Sequence, residues 1–141
     1  MSGFLLDTNC ISEIVRPKPE PRVEAWIEAT DESMLYLSVL TMGEIRKGAA
    51  GLVHGKRRND LEKWLKVELQ GRFSGRILPI DAAIADRWGH LAAEGKRKGK
   101  PLSIIDGLLA ATALHHNLTV VSRNVNDFKN TPAHVLNPWE M

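Results

Sequence analysis

Asp7, Glu44 and Asp106 are lone acids embedded in or abutting apolar stretches. Asp7 ends the run Phe4-Leu5-Leu6 and opens Asp7-Thr8-Asn9, Glu44 follows the apolar stretch Tyr36 to Leu40, and Asp106 lies within Leu102 to Leu109. Taking one ionised carboxylate out of water is costly, and three gathered together need a shared cation. The residue types and their settings therefore point to a metal site made of oxygen ligands. A second reading stands beside this one. Thr41-x-x-Glu44 and Ser103-x-x-Asp106 both fit the capping-box spacing and Asp7 is a good N-cap, so each acid also suits the orphan N–H groups of a helix start. The two readings are compatible, because a helix N-terminus holds a carboxylate in its ionised, ligating form. A further polar cluster, Asn124 and Asp127, tips the balance towards a site.

Such a site needs elements that deliver its members to one place. Phe4 to Leu6 reads as a buried strand, followed by a short helix over Thr8 to Val15 that Pro17 and Pro19 stop. Further helices fit Arg22 to Ala29, about Met42 to Val53, about Asn59 to Phe73, a segment capped by Asp81 and carrying Ile84, Trp88 and Leu91, and Ile104 to His115. Strand character marks Met34 to Val39, Ile77 to Ile80 and Thr119 to Val121, with Val135-Leu136 as a last edge. Strands separated by helices predict an α/β fold, a three-layer α/β/α arrangement around a mostly parallel central sheet. In such sheets the site lies at the carboxyl ends of the strands, which is where Asp7, Glu44 and Ser122-Arg123-Asn124 fall. Asp106 joins them if the start of its helix points to that edge.

The 141 residues suit a single domain spanning 1–141, with 43% hydrophobic and 26% charged residues as in a folded globular chain. A formal charge of +2 says little about partners. Cys10 is the only cysteine, so neither an internal disulfide nor a thiolate zinc cage is available. No run is long enough to span a bilayer and the first apolar stretch is too short for a signal peptide, so a cytoplasmic protein with no membrane partner is expected.

Leu5-Leu6-Asp7-Thr8-Asn9, Leu37-Ser38 with Thr41-x-Gly43-Glu44-Ile45, Asp106-Gly107-Leu108-Leu109-Ala110-Ala111-Thr112-Ala113, and Val121-Ser122-Arg123-Asn124-x-x-Asp127-Phe128 occur in this order. Together they resemble a PIN domain of the VapC-type toxin family, and the closing Asn137-Pro138-Trp139 is similar to its FitB branch. The resemblance implies a Mg²⁺- or Mn²⁺-dependent endoribonuclease that is the toxin of a type II toxin–antitoxin pair. Its implied partners are an RNA substrate, a small cognate antitoxin and a second copy in a homodimer, with DNA reached only through the antitoxin. Carried over by position, the catalytic acids are Asp7, Glu44 and Asp106. The next position departs from the FitB-like pattern, holding the neutral Asn124 where an acid can stand, with Asp127 as the nearest compensating ligand.

Hard cations keep several waters, so a few carboxylates leave room for a phosphate and an attacking water, and no nucleophilic side chain is required. Cys10 is then a small core residue, and His115-His116 lie too far along their helix to serve the acids. Thr8, Asn9, Ser122, Arg123, Lys98 and Lys100 are the candidates for substrate contact. His54 to Arg58 and Lys96 to Lys100 attract phosphates or form ordinary solvated loops. The helix faces bearing Val23, Trp26 and Ile27, or Leu61, Trp64 and Leu65, are core or an antitoxin seat. Two other functions compete. One is a catalytically weak binding module that regulates a DNA-binding antitoxin. The other is a haloacid-dehalogenase-type phosphatase, which Asp7-Thr8-Asn9 suits poorly because that chemistry needs a second Asp two residues on.

Overall fold

The computed structural model describes residues 3–141. Its five strands are β1 (Phe4–Leu6), β2 (Leu35–Ser38), β3 (Ile77–Leu78), β4 (Thr119–Val121) and β5 (Val135–Leu136). They form one sheet of order β3-β2-β1-β4-β5, and every pairing is parallel. Leu5 faces Tyr36 on one side and Val120 on the other, so the apolar strand residues stay in register across the sheet centre.

Side chains alternate across a strand, and here the alternation feeds two cores. Leu6, Leu35, Leu37 and Val121 pack on one face with α1 (Thr8–Ile14), α2 (Pro21–Ala29) and α3 (Val39–Ala50). The same core takes Leu65 and Leu69 from the helical segment that starts as α4 (Lys56–Lys63), widens to π geometry over Trp64–Leu69 and ends as α5 (Gln70–Arg72). Leu5 and Val120 pack on the other face beneath α6 (Ala82–Arg97) and α7 (Ile104–His116), with Leu91 and Leu109 filling the layer. The three-layer expectation holds, and the sheet is wholly rather than mostly parallel.

Several boundaries differ from the sequence reading for identifiable reasons. The third helix begins at Val39, capped by Ser38, whose Oγ accepts from the Leu40 N–H at 3.0 Å. Thr41 is therefore inside the helix, and the Thr41-x-x-Glu44 capping box does not form. Met34 ends a 3₁₀ turn rather than starting β2, and β3 stops at Leu78. Lys56 to Arg58 open α4 instead of forming a loop, and Arg58 is committed to Glu62 at 2.9 Å. Pro21 starts α2 at the position where its missing N–H costs nothing. Asp81 caps α6 as expected, accepting from the Ile84 N–H at 2.9 Å.

Cys10 is fully buried, with its thiol directed at the Val121 carbonyl, and burial pushes its pKa up, as befits a core residue. Val23, Ile27 and Leu65 are likewise core, so those parts of the two helix faces are unavailable to a partner. Among the described residues, no helix is long and apolar enough to cross a membrane.

Candidate active site

In the order β3-β2-β1-β4-β5 the chain runs outward from β1, then returns to place β4 on its other side. The crevice for a ligand in such a sheet opens where that reversal occurs, beyond the carboxyl ends of β1 and β4. Asp7 leaves β1 there and Ser122 leaves β4. The Asp7 carboxylate accepts from the Thr8 N–H and from the Ser122 hydroxyl, each at 2.8 Å. Ser122 is fully buried, and its oxygen accepts in turn from the Asn9 amide at 3.2 Å and the Asn124 N–H at 3.0 Å. One hydroxyl thus uses its single proton and both lone pairs to fix the Asp7 side chain.

Glu44 arrives from the second turn of α3. Because Ser38 has taken the cap, the Glu44 carboxylate is free to face β1, where the Thr8 hydroxyl donates to it at 2.6 Å. The fully buried Thr41 places its hydroxyl 3.3 Å from that of Thr8. Asp106 sits in the first turn of α7, and the start of that helix does point to the common edge. Ser103 caps it, accepting from the Asp106 N–H at 3.2 Å and donating to its carboxylate at 2.8 Å. Asp7 and the Ser103 next to Asp106 in space therefore serve helix caps as well as the shared edge, whereas Glu44 takes no part in capping its helix.

Asp7, Glu44, Asp106 and Asn124 line one open cleft of about 420 Å³, with Thr8, Asn9 and Arg123 on its walls. Burial pushes the Asp7 carboxyl above its ordinary range; the Ser122 and Thr8 hydrogen bonds oppose this, and the charges of Glu44 and Asp106 add to it. The Asp106 carboxyl is raised chiefly by burial too, then by Asp127 and Glu44. The carboxylates feel one another across the cleft. Among the described residues, no three His, Cys, Asp or Glu side chains close into a ready-made cage. The donors are all carboxylate and amide oxygens around an open trough, which fits a small hard cation that keeps part of its water shell.

The other candidates are placed less centrally. Asp127 is exposed on the 3₁₀ turn Val125–Asp127, outside the cleft lining, although Asp106 senses its charge. Lys98 and Lys100 are also outside the lining, and Lys98 pairs with Glu94 at 3.3 Å. Thr8, Asn9 and Ser122 spend their polar groups on Glu44, Asp7 and the backbone of Arg123. Three polar cleft residues, Ser12, Glu13 and Arg16, are not marked by the sequence motifs. Glu13, only 6% exposed, and Arg16 line the wall beside Trp139. Glu13 carries the signal that exposed the other acids, a carboxylate set between Ile11 and Ile14.

A family model for the PIN domain matches residues 4–133. Toxin FitB of Neisseria gonorrhoeae is 42% identical over 136 residues, covering 96% of this chain and 98% of that protein. VapC ribonuclease Y4jK of Sinorhizobium fredii is 38% identical, covering 97% and 98%. The solved structure of FitAB bound to an IR36 DNA fragment superposes with a TM-score of 0.91 at 39% identity, covering 98% of this chain and 96% of that one. Similar from the first strand to the closing turn in both sequence and fold, the chain belongs to the PIN domain family, among its FitB and VapC relatives.

Proposed function

We propose that this chain is a Mg²⁺- or Mn²⁺-dependent endoribonuclease and the toxin of a type II toxin–antitoxin pair. The observation that carries the reading is the delivery of Asp7, Glu44 and Asp106 from three separate elements to one cleft, where each of the two aspartates feels Glu44's charge. Asp7, Glu44 and Asp106 would hold the cation, with Asn124 adding a neutral carbonyl oxygen and Asp127 an outer charge. Bound there, the ion would polarise a phosphoryl oxygen and acidify a coordinated water. The chain's own residues prepare that chemistry. Ser122 and Thr8 hold Asp7 and Glu44 in place, Arg123 offers a cation to the RNA backbone, and Lys98 and Lys100 add sequence-independent attraction.

The name of the Sinorhizobium relative supports ribonuclease action, and the name of the Neisseria relative supports the role of toxin. The DNA-bound FitAB structure supports a cognate antitoxin as the link to DNA. A groove lined by Ile14, Val15 and Trp64 and rimmed by Glu24, Glu28 and Glu68 suits an amphipathic antitoxin helix with basic flanks. Val39 and Ile104, 40% and 64% exposed, offer apolar surface for a homodimer.

The test is incubation of the antitoxin-free protein with total RNA, followed by mapping of the cut ends. Internal cuts are expected with Mg²⁺ or Mn²⁺ and none in chelator, and co-expressed antitoxin should restore growth. Cleavage that persists in chelator, or no cleavage under any condition, overturns the reading.

Asn124 makes a separate prediction about stoichiometry. Three carboxylates and a neutral amide supply enough charge for one tightly held ion, so a second should bind weakly in the absence of substrate phosphate. Asn124→Asp should tighten the second ion more than the first in calorimetric titration. Two equally tight ions in the unaltered protein would contradict this.

A further inference from the structure

The residues 134–141 lie beyond the span that the family model matches, yet they close one wall of the cleft. Trp139, 7% exposed, donates its indole N–H to Glu13 at 3.3 Å, across 126 residues of chain. The same Glu13 carboxylate accepts from the Glu20 N–H at 3.2 Å and lies 3.5 Å from Arg16. Asn137 completes the fastening: its amide donates to the Arg123 carbonyl at 3.4 Å, and its side-chain oxygen accepts from the Trp139 N–H at 2.9 Å. The Arg123 guanidinium lies 5.7 Å from the centroid of the Trp139 ring. Among the described residues it makes no ion pair within 4 Å, although the Glu20 carboxylate, itself paired with Arg22, feels its charge. A cation resting on an aromatic face keeps the edge of its planar fork open for two N–H donors to a phosphate.

We propose that Arg123 binds one phosphate of the RNA strand beside the acidic cluster, and that Trp139, locked by Glu13, is the positioning residue that holds Arg123 there. The proposal rests on the ribonuclease reading and deepens it. It assigns the cleft two ends, carboxylates for the cation and a stacked guanidinium for the neighbouring phosphate.

The test measures binding of a short fluorescein-labelled single-stranded RNA of mixed sequence over a range of salt concentrations. An Asp106→Asn background keeps the strand intact. Losing one phosphate contact from a single strand flattens the log–log salt slope by about 0.7. Arg123→Ala should produce that change, Trp139→Leu should produce it too, and the double variant should go no further than either. Trp139→Phe keeps a ring face without the N–H and should retain most of the slope. An Arg123→Ala slope equal to that of the background protein overturns the proposal, even if Trp139→Leu fails to fold. So does a Trp139→Leu variant that folds by thermal melt and binds RNA with the slope unchanged. If the unaltered chain cleaves RNA with Mg²⁺ while these slopes stay fixed, this inference fails alone; if it neither binds nor cleaves RNA, the ribonuclease reading fails with it.

Discussion

Asp106→Asn is expected to slow RNA cleavage by roughly 10³-fold, the loss of several kcal/mol of transition-state stabilisation that a displaced ligand set implies. The same substitution should raise the melting temperature of the metal-free protein by about 1–3 °C at neutral pH. The opposite signs follow from the environment of the carboxyl group. Burial, and then the charges of Asp127 and Glu44, hold its folded-state pKa above the ordinary value of 3.8. A raised carboxyl pKa contributes stability below the unfolded value and loses it as pH rises through the folded one, so the ionised group is a liability at pH 7 without a cation. Asparagine removes the charge and keeps an oxygen for the Ser103 hydroxyl, while the Ser103 cap on the Asp106 N–H is untouched. Partial exposure screens the effect, which is why the gain is small. Melts of parent and variant in chelator should converge as pH falls towards 3.8. A variant that loses activity and stability together would make Asp106 a scaffold residue instead.

The three acids were legible because a carboxylate among apolar residues is an anomaly that survives without any structure. Their supporting shell was not. Thr41-x-x-Glu44 matched a capping box, but pairing of Ser38 with Leu78 carries β2 to Ser38, whose hydroxyl then caps α3. Short capping patterns are degenerate when two hydroxyl residues lie three apart, and sheet pairing decides between them. Thr8, Asn9 and Ser122 were legible as polar groups near the strand ends, whereas their direction was not. Each turns inward, because buried polar atoms must find partners: Glu44 takes the Thr8 hydroxyl, Asp7 takes that of Ser122, and Ser122 takes the Asn9 amide. Glu13 was hidden for another reason. Its carboxylate lies among apolar residues like the other acids, but its contact with Trp139 spans the length of the chain, and no local pattern reports such a contact. The all-parallel order followed from strands alternating with helices, while the short extents of β3 and β5 depend on edge pairing that local composition does not encode.

Gly107→Ala is expected to destabilise the fold by about 1–2 kcal/mol and to slow cleavage by roughly 10²-fold. In an isolated helix the change would be favourable by up to about 1 kcal/mol, because alanine is the better helix former. Here a Cβ at position 107 would lie 2.9 Å from Trp88 Cδ1 and 3.0 Å from its Nε1. Those atoms belong to the body of the indole, not to a flexible end, so α6 and α7 have to move apart. Overpacking of this kind costs about 1–3 kcal/mol, which exceeds the propensity gain. The displacement begins one residue after Asp106, in the same helical turn, so the carboxylate shifts with the backbone. A misplacement of about 1 Å at a reacting centre is enough for the expected loss of rate. Glycine in the Asp106-Gly107 pair is therefore a spacing requirement set by Trp88, and a second substitution can check that cause. Trp88→Leu removes the obstructing ring, so Gly107→Ala introduced on that background should cost little further activity and leave alanine its helix gain. If Gly107→Ala slows cleavage equally with and without Trp88, the contact is not the cause; if the single variant is stable and active, the two helices yield more easily than their spacing implies.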